Sequence, residues 1–113
     1  MTVEVVLTDL STGEVDKANA VDIDDKRCFQ YTDNAGNLCE ICIYEEGLCL
    51  FKQTDDYLLE LHLRCNYYAK ITSQEGEIKL DAKVVDFLEK DDILVMRYVI
   101  DDIEREIKII YRS

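Results

Sequence analysis

The stretch 93-ILVMRYVIDDIEREIKIIY-111 decides the fold. Residues 93–100 and 103–111 are rich in β-branched and aromatic side chains, and Asp101-Asp102 between them reads as a two-residue turn. Side chains alternate faces along a strand, so the turn length fixes which residues share a face. Ile100 then faces Ile103, Tyr98 faces Arg105, Met96 faces Ile107 and Leu94 faces Ile109. On the other face Arg97 meets Glu106, and Val95 meets Lys108. The first face is apolar apart from Arg105 and the Tyr98 hydroxyl. The second carries an opposite-charge pair that modestly supports a hairpin.

The preceding segments follow the same logic. The run 77-EIKLDAKV-84 alternates polar and apolar residues. A turn at Glu75-Gly76 would set Tyr67, Ala69, Ile71 and Ser73 beside Val84, Ala82, Leu80 and Ile78, with Lys70 beside Asp81 on the outside. After Val84 the phase slips to Val85 and Phe87, which predicts a β-bulge; a short helix over 82-AKVVDFLEK-90 is the alternative. In 57-YLLELHLR-64, a turn over Arg64-Cys65-Asn66 pairs Leu61 with Ala69 and Leu59 with Ile71, with Asn66 left-handed. Breaks recur about every ten residues along the chain. They fall at Gly13, Gly36, Gly47 and Gly76 and at acidic pairs: Asp24-Asp25, Asp55-Asp56, Asp91-Asp92 and Asp101-Asp102. The expectation is an all-β fold of eight or nine short antiparallel strands in up-and-down order, closed into a barrel because closure removes exposed edges. The predicted interior set is Tyr57, Leu59, Leu61, Tyr67, Ile71, Leu80, Leu94, Met96, Tyr98 and Ile107.

The 113 residues suffice for one domain, 1–113, with a single core. The formal net charge is −12 and no basic run occurs, so nucleic acid and anionic membranes are not expected partners. The first apolar run is short and broken by Glu4 and Asp9, and no stretch reaches the length of a membrane span. A cytoplasmic setting with reduced thiols is expected.

Three of the five cysteines lie in 38-LCEICIYEEGLCLF-51, which reads as a hairpin around Glu46-Gly47. On a strand, Cys39 and Cys42 point to opposite faces and cannot share a metal. No second Cys-x-x-Cys occurs, and His62 is the one histidine, so no metal or other cofactor is expected. The cysteines read as small sheet or core residues, with Cys65 exposed at a turn. His62 reads as solvent-facing beside Glu60 and Arg64. No nucleophile elbow, P-loop or dinucleotide motif appears, and no enzymatic activity is expected.

Arg105 is the most informative residue. A guanidinium on an apolar face needs a partner. It either reaches water at the barrel mouth or pairs with a carboxylate such as Glu40, or it grips, with Tyr98, the carboxylate or phosphate of a bound ligand.

The segment 76-GEIKLDAKVVDFLEKDDILVMRYVIDDIEREIKIIYRS-113 combines a polar-apolar strand, a long bend, Tyr98-Val99-Ile100, a tight acidic turn and a last strand of alternating charge. Together with 2-TVEVVLTDLSTGE-14 it resembles the small YwiB-like proteins of Gram-positive bacteria. The resemblance implies a calycin (lipocalin-like) β-barrel and a bacterial cytosolic setting, and carries over no site residue. The expected function is a non-enzymatic barrel that binds a small apolar or amphipathic ligand, with Arg105 and Tyr98 as its contacts. The alternative is a protein–protein interaction or structural module whose barrel is filled by side chains and whose working surface is acidic.

Overall fold

The computed structural model describes residues 2–23 and 27–112. Its elements are β1 (Thr2–Asp9), β2 (Val15–Ile23), β3 (Cys28–Thr32), β4 (Leu38–Tyr44) and β5 (Gly47–Gln53), followed by β6 (Tyr57–Leu63), β7 (Tyr67–Ser73), β8 (Gly76–Glu89), β9 (Ile93–Ile100) and β10 (Ile103–Arg112). Every strand pairs antiparallel with its neighbours in sequence, and β1 pairs with β10 to close the barrel. Among the described residues there is no helix, and so none long and apolar enough to cross a membrane.

Ten strands replace the expected eight or nine. The weakly patterned strand is β2, whose inward positions hold Asp16, Ala18 and Ala20 opposite Leu7, Val5 and Val3. Small side chains there leave little hydrophobic signal. Barrel diameter grows roughly in proportion to strand number, so the count bears directly on the interior.

The β9–β10 register is the predicted one at every named pair, and Arg97 Nε lies 3.0 Å from Glu106 Oε2. Asp101 and Asp102 have φ of 53° and 63°, as a type I′ turn requires. Aspartate tolerates the left-handed region less well than asparagine or glycine. Changing Asp101-Asp102 to Asn-Gly should therefore stabilise the protein by about 0.5–1 kcal/mol, measured by urea unfolding at unchanged m-value.

The β6–β7 pairs are also those expected, but Asn66 is not left-handed; Asp101 and Asp102 are the non-glycine residues with positive φ among those described. In β7–β8 the register is shifted by two. Ala69 faces Leu80, Ile71 faces Ile78 and Lys70 faces Lys79, because Gln74-Glu75 form the turn and Gly76 already begins β8. A shift of two preserves the faces, so the inner wall keeps its composition. Lys70 reaches Glu60 and Glu77, and Lys79 lies over the Tyr68 ring. The slip after Val84 is a bulge between Val84 and Asp86 within a continuous β8, and the helical alternative is not adopted. In β4–β5 the turn is Glu45-Glu46, one residue earlier than expected, and Tyr44 faces Gly47. Asp24-Asp25 lie outside the described residues.

Of the predicted interior, Leu61, Leu94, Met96, Tyr98 and Ile107 are buried, and Leu59 and Leu80 pack against the core. Tyr67 is 40% exposed, since it opens β7 at the barrel rim. Leu48, Leu63, Leu94 and Ile109, at the end away from Asp101-Asp102, are fully enclosed.

Candidate functional site

The barrel is filled at one end and hollow at the other. A cavity of about 960 Å³ opens at the end formed by the connections 10–14, 33–37, 54–56, 74–75 and 101–102. Its walls are the inward residues Leu50, Leu59, Leu61, Ala69, Ile71 and Leu80, and its rim carries Asp9, Asp16, Lys52, Tyr98 and Arg105. Side chains fill the barrel at the other end, around Leu48, Leu63, Leu94 and Ile109. Ten strands enclose more width than the inward side chains of a short chain can fill.

Arg105 and Tyr98 stand where parity placed them, directly opposite each other on β10 and β9 at the cavity mouth. Arg105 is half-buried, and its guanidinium makes no side-chain hydrogen bond or ion pair among the described residues. Glu40 is not its partner, because Glu40 lies on β4 next to the inward-facing Cys39 and so points outside. Asp9 of β1 flanks Arg105 in the register, but its Oδ1 accepts the backbone N–H groups of Ser11 and Thr12. Tyr98 is buried, and its hydroxyl is pushed up to about 12 by that burial; the Arg105 guanidinium opposes the shift and Asp9 adds to it.

The other cation at the mouth is already committed. Lys52 Nζ lies 2.8 Å from Oδ2 of Asp33, a carboxylate with 2% of its side chain exposed. Sequence patterning offered no hint of this pair, since Asp33 is in a connection and Lys52 is an inward charge on a strand. Asp16 contributes the opposite feature: its Oδ1 is buried and has no hydrogen-bond partner. Buried polar atoms are nearly always partnered, so Asp16 marks a place for a donor. The mouth therefore presents an unpaired guanidinium, an unpaired carboxylate oxygen and a tyrosine hydroxyl above an apolar chamber.

The cysteines divide between the two faces of the sheet. Cys39 is buried among the core residues, and Cys65 is exposed. Cys42 points outward and forms a disulfide with Cys28, its direct partner across β3–β4. This corrects the reading of these two as packing residues in the thiol state. The Arg27–Ile43 pair beside them is hydrogen-bonded, so Cys28 and Cys42 occupy the closer, non-hydrogen-bonded kind of site, with Cα atoms 4.0 Å apart. Cys49 faces Cys42 from β5, and His62 faces Cys49 from β6. His62 is not simply solvent-facing. Its Nδ1 lies 3.6 Å from Cys49 Sγ, its Nε2 lies 3.7 Å from Glu60 Oε1, and its ring stacks on Tyr68.

Compared with known proteins, the chain matches no family profile, no curated protein and no solved structure at a significant level.

Proposed function

We propose that the protein is a non-enzymatic carrier of a small amphipathic molecule, held in the barrel with its apolar part inward and an anionic group at Arg105. The observation that carries this reading is the unpaired Arg105 at the mouth of the 960 Å³ apolar-walled cavity. A guanidinium there gains most from a carboxylate or phosphate, with which it makes charge-assisted hydrogen bonds. Tyr98 would add a hydroxyl donor, and Asp16 Oδ1 would accept from a hydroxyl or ammonium on the same head group. The volume lies in the range typical of small-molecule sites. Kinship with YwiB-like barrels, the calycin type and a cytosolic setting belong to the same proposal; the up-and-down order and barrel closure support the first two.

Calorimetric titration with dodecanoate and dodecanol tests it. Dodecanoate should bind the wild type, and Arg105→Ala should weaken it by about 10–100-fold, the worth of a charged hydrogen-bonded contact. Dodecanol, which lacks the charge, should be affected far less. Ile71→Trp, on the chamber wall, should remove binding of both while the protein stays folded. Equal losses for both ligands on Arg105→Ala, or no binding of either by the wild type, would refute the reading.

A further inference from the structure

The outer face carries a second chemical site, independent of the chamber. Cys28, Cys42, Cys49 and His62 form one row across β3, β4, β5 and β6, each directly opposite the next. Glu40, two residues before Cys42, points to the same face, and Cys42 Sγ lies 4.0 Å from its Oε1. The sulfurs of Cys28 and Cys42 and a Glu40 carboxylate oxygen all lie within 4.8 Å of one another. We propose that reduction of the Cys28–Cys42 disulfide opens a binding site for a thiophilic divalent cation of the zinc class, with Cys28, Cys42 and Glu40 as ligands and Cys49 as the fourth.

The ligand chemistry fits. In a tetrahedral zinc site with metal–sulfur bonds of about 2.3 Å and metal–oxygen bonds of about 2.1 Å, donor atoms sit about 3.5–3.8 Å apart. Separating the two sulfurs to that distance needs side-chain rotation and no change in strand register. Cys49 stands across from Cys42 on the same face; its sulfur lies outside the 4.8 Å group and must rotate toward the cation to become the fourth ligand, with His62 Nδ1 3.6 Å away as its hydrogen-bond partner. The geometric objection to Cys39 and Cys42 sharing a metal still holds. The ligands come from neighbouring strands instead of from one.

A dithiol or phosphine reductant takes up the oxidising equivalents of the Cys28–Cys42 bond, leaving two thiols. Cation binding then releases the protons of Cys28, Cys42 and Cys49 to solvent. The disulfide and the metal therefore compete for the same sulfurs, and the redox state decides between them.

The full-length protein, stripped with chelator and reduced with a phosphine, should be titrated with Co²⁺. One equivalent should bind, giving thiolate-to-cobalt charge transfer in the near ultraviolet and intense tetrahedral d–d bands, both removed by Zn²⁺. The disulfide form should give neither. Cys28→Ser should weaken binding by about 100-fold. In the wild type, Zn²⁺ should protect Cys28 and Cys42 from alkylation and leave the exposed Cys65 reactive, a readout that survives poor folding of the variant. A weak octahedral spectrum in the reduced chain, an equal response from the oxidised chain, or absence of protection at Cys28 and Cys42 would overturn the proposal.

Discussion

Gly47→Ala should destabilise the barrel by about 3 kcal/mol or more, lowering Tm by about 10–20 °C. A Cβ built on Gly47 would overlap the carbonyl oxygen of Leu63 and crowd its carbonyl carbon at 3.0 Å and the Cα of Arg64 at 3.2 Å. These are backbone atoms at the end of the adjoining strand β6 and of the residue just after it, and Leu63 is held opposite Leu48 in the β5–β6 ladder. Relief would require β5 to separate from β6 next to Leu48 and Leu63, both fully buried. Gly13→Ala is the control. Gly13 also has positive φ, at 81°, but a Cβ there meets nothing within 4 Å. It should cost only about 1–2 kcal/mol, the left-handed penalty alone. Thermal unfolding of the two variants separates steric overlap from backbone conformation. Similar Tm losses would show that the close approach of β5 to β6 does not constrain position 47.

The β9–β10 hairpin shows what the sequence makes legible. Turn length and alternation located the inner wall from Tyr57 to Tyr111, because a two-residue turn such as Asp101-Asp102 leaves a single consistent register. They located Arg105 and Tyr98 for the same reason. Where two adjacent turns were sterically acceptable, as at Gln74-Glu75 or Glu75-Gly76, glycine alone could not choose, and the register moved by two. The Cys-x-x-Cys spacing of Cys39 and Cys42 carries no sign of the outer row of sulfurs, because that row runs across neighbouring strands. Yet a usable signal was present: Cys28 and Cys42 are equally distant from Ala35, the centre of the DNAGN turn, and so must face each other if that turn closes a hairpin. The cavity was not legible, since it depends on strand number and thus on Ala18 and Ala20, whose small side chains give β2 almost no amphipathic signature.

Asp33→Ala should cost about 2–4 kcal/mol and should also alter how stability responds to acid. Asp33 ties the β3–β4 connection together. Its Oδ1 accepts the backbone N–H of Ala35 at 3.0 Å and of Asn37 at 2.8 Å, and its Oδ2 meets Asn37 Nδ2 at 3.3 Å and Lys52 Nζ at 2.8 Å. Removing the carboxylate strands all of these donors at once, in a residue only 7% exposed. Burial by itself would raise the Asp33 carboxyl, but Lys52 and the Asn37 hydrogen bonds outweigh it and hold the group below its ordinary 3.8. A carboxyl depressed on folding stabilises the native state fully above its unfolded value, and that contribution fades as pH falls through the lower folded value. The stability gap between wild type and Asp33→Ala should therefore be constant above about pH 5 and narrow steadily below about pH 4. Urea unfolding across that range provides the measurement. Lys52→Met gives an independent handle, because it removes the charge partner while leaving the loop N–H donors in place. It should be the milder variant at neutral pH, and its own gap should also close in acid. A gap that stays constant down to about pH 2 would show that the carboxylate charge contributes nothing and that Asp33 acts only as a turn residue.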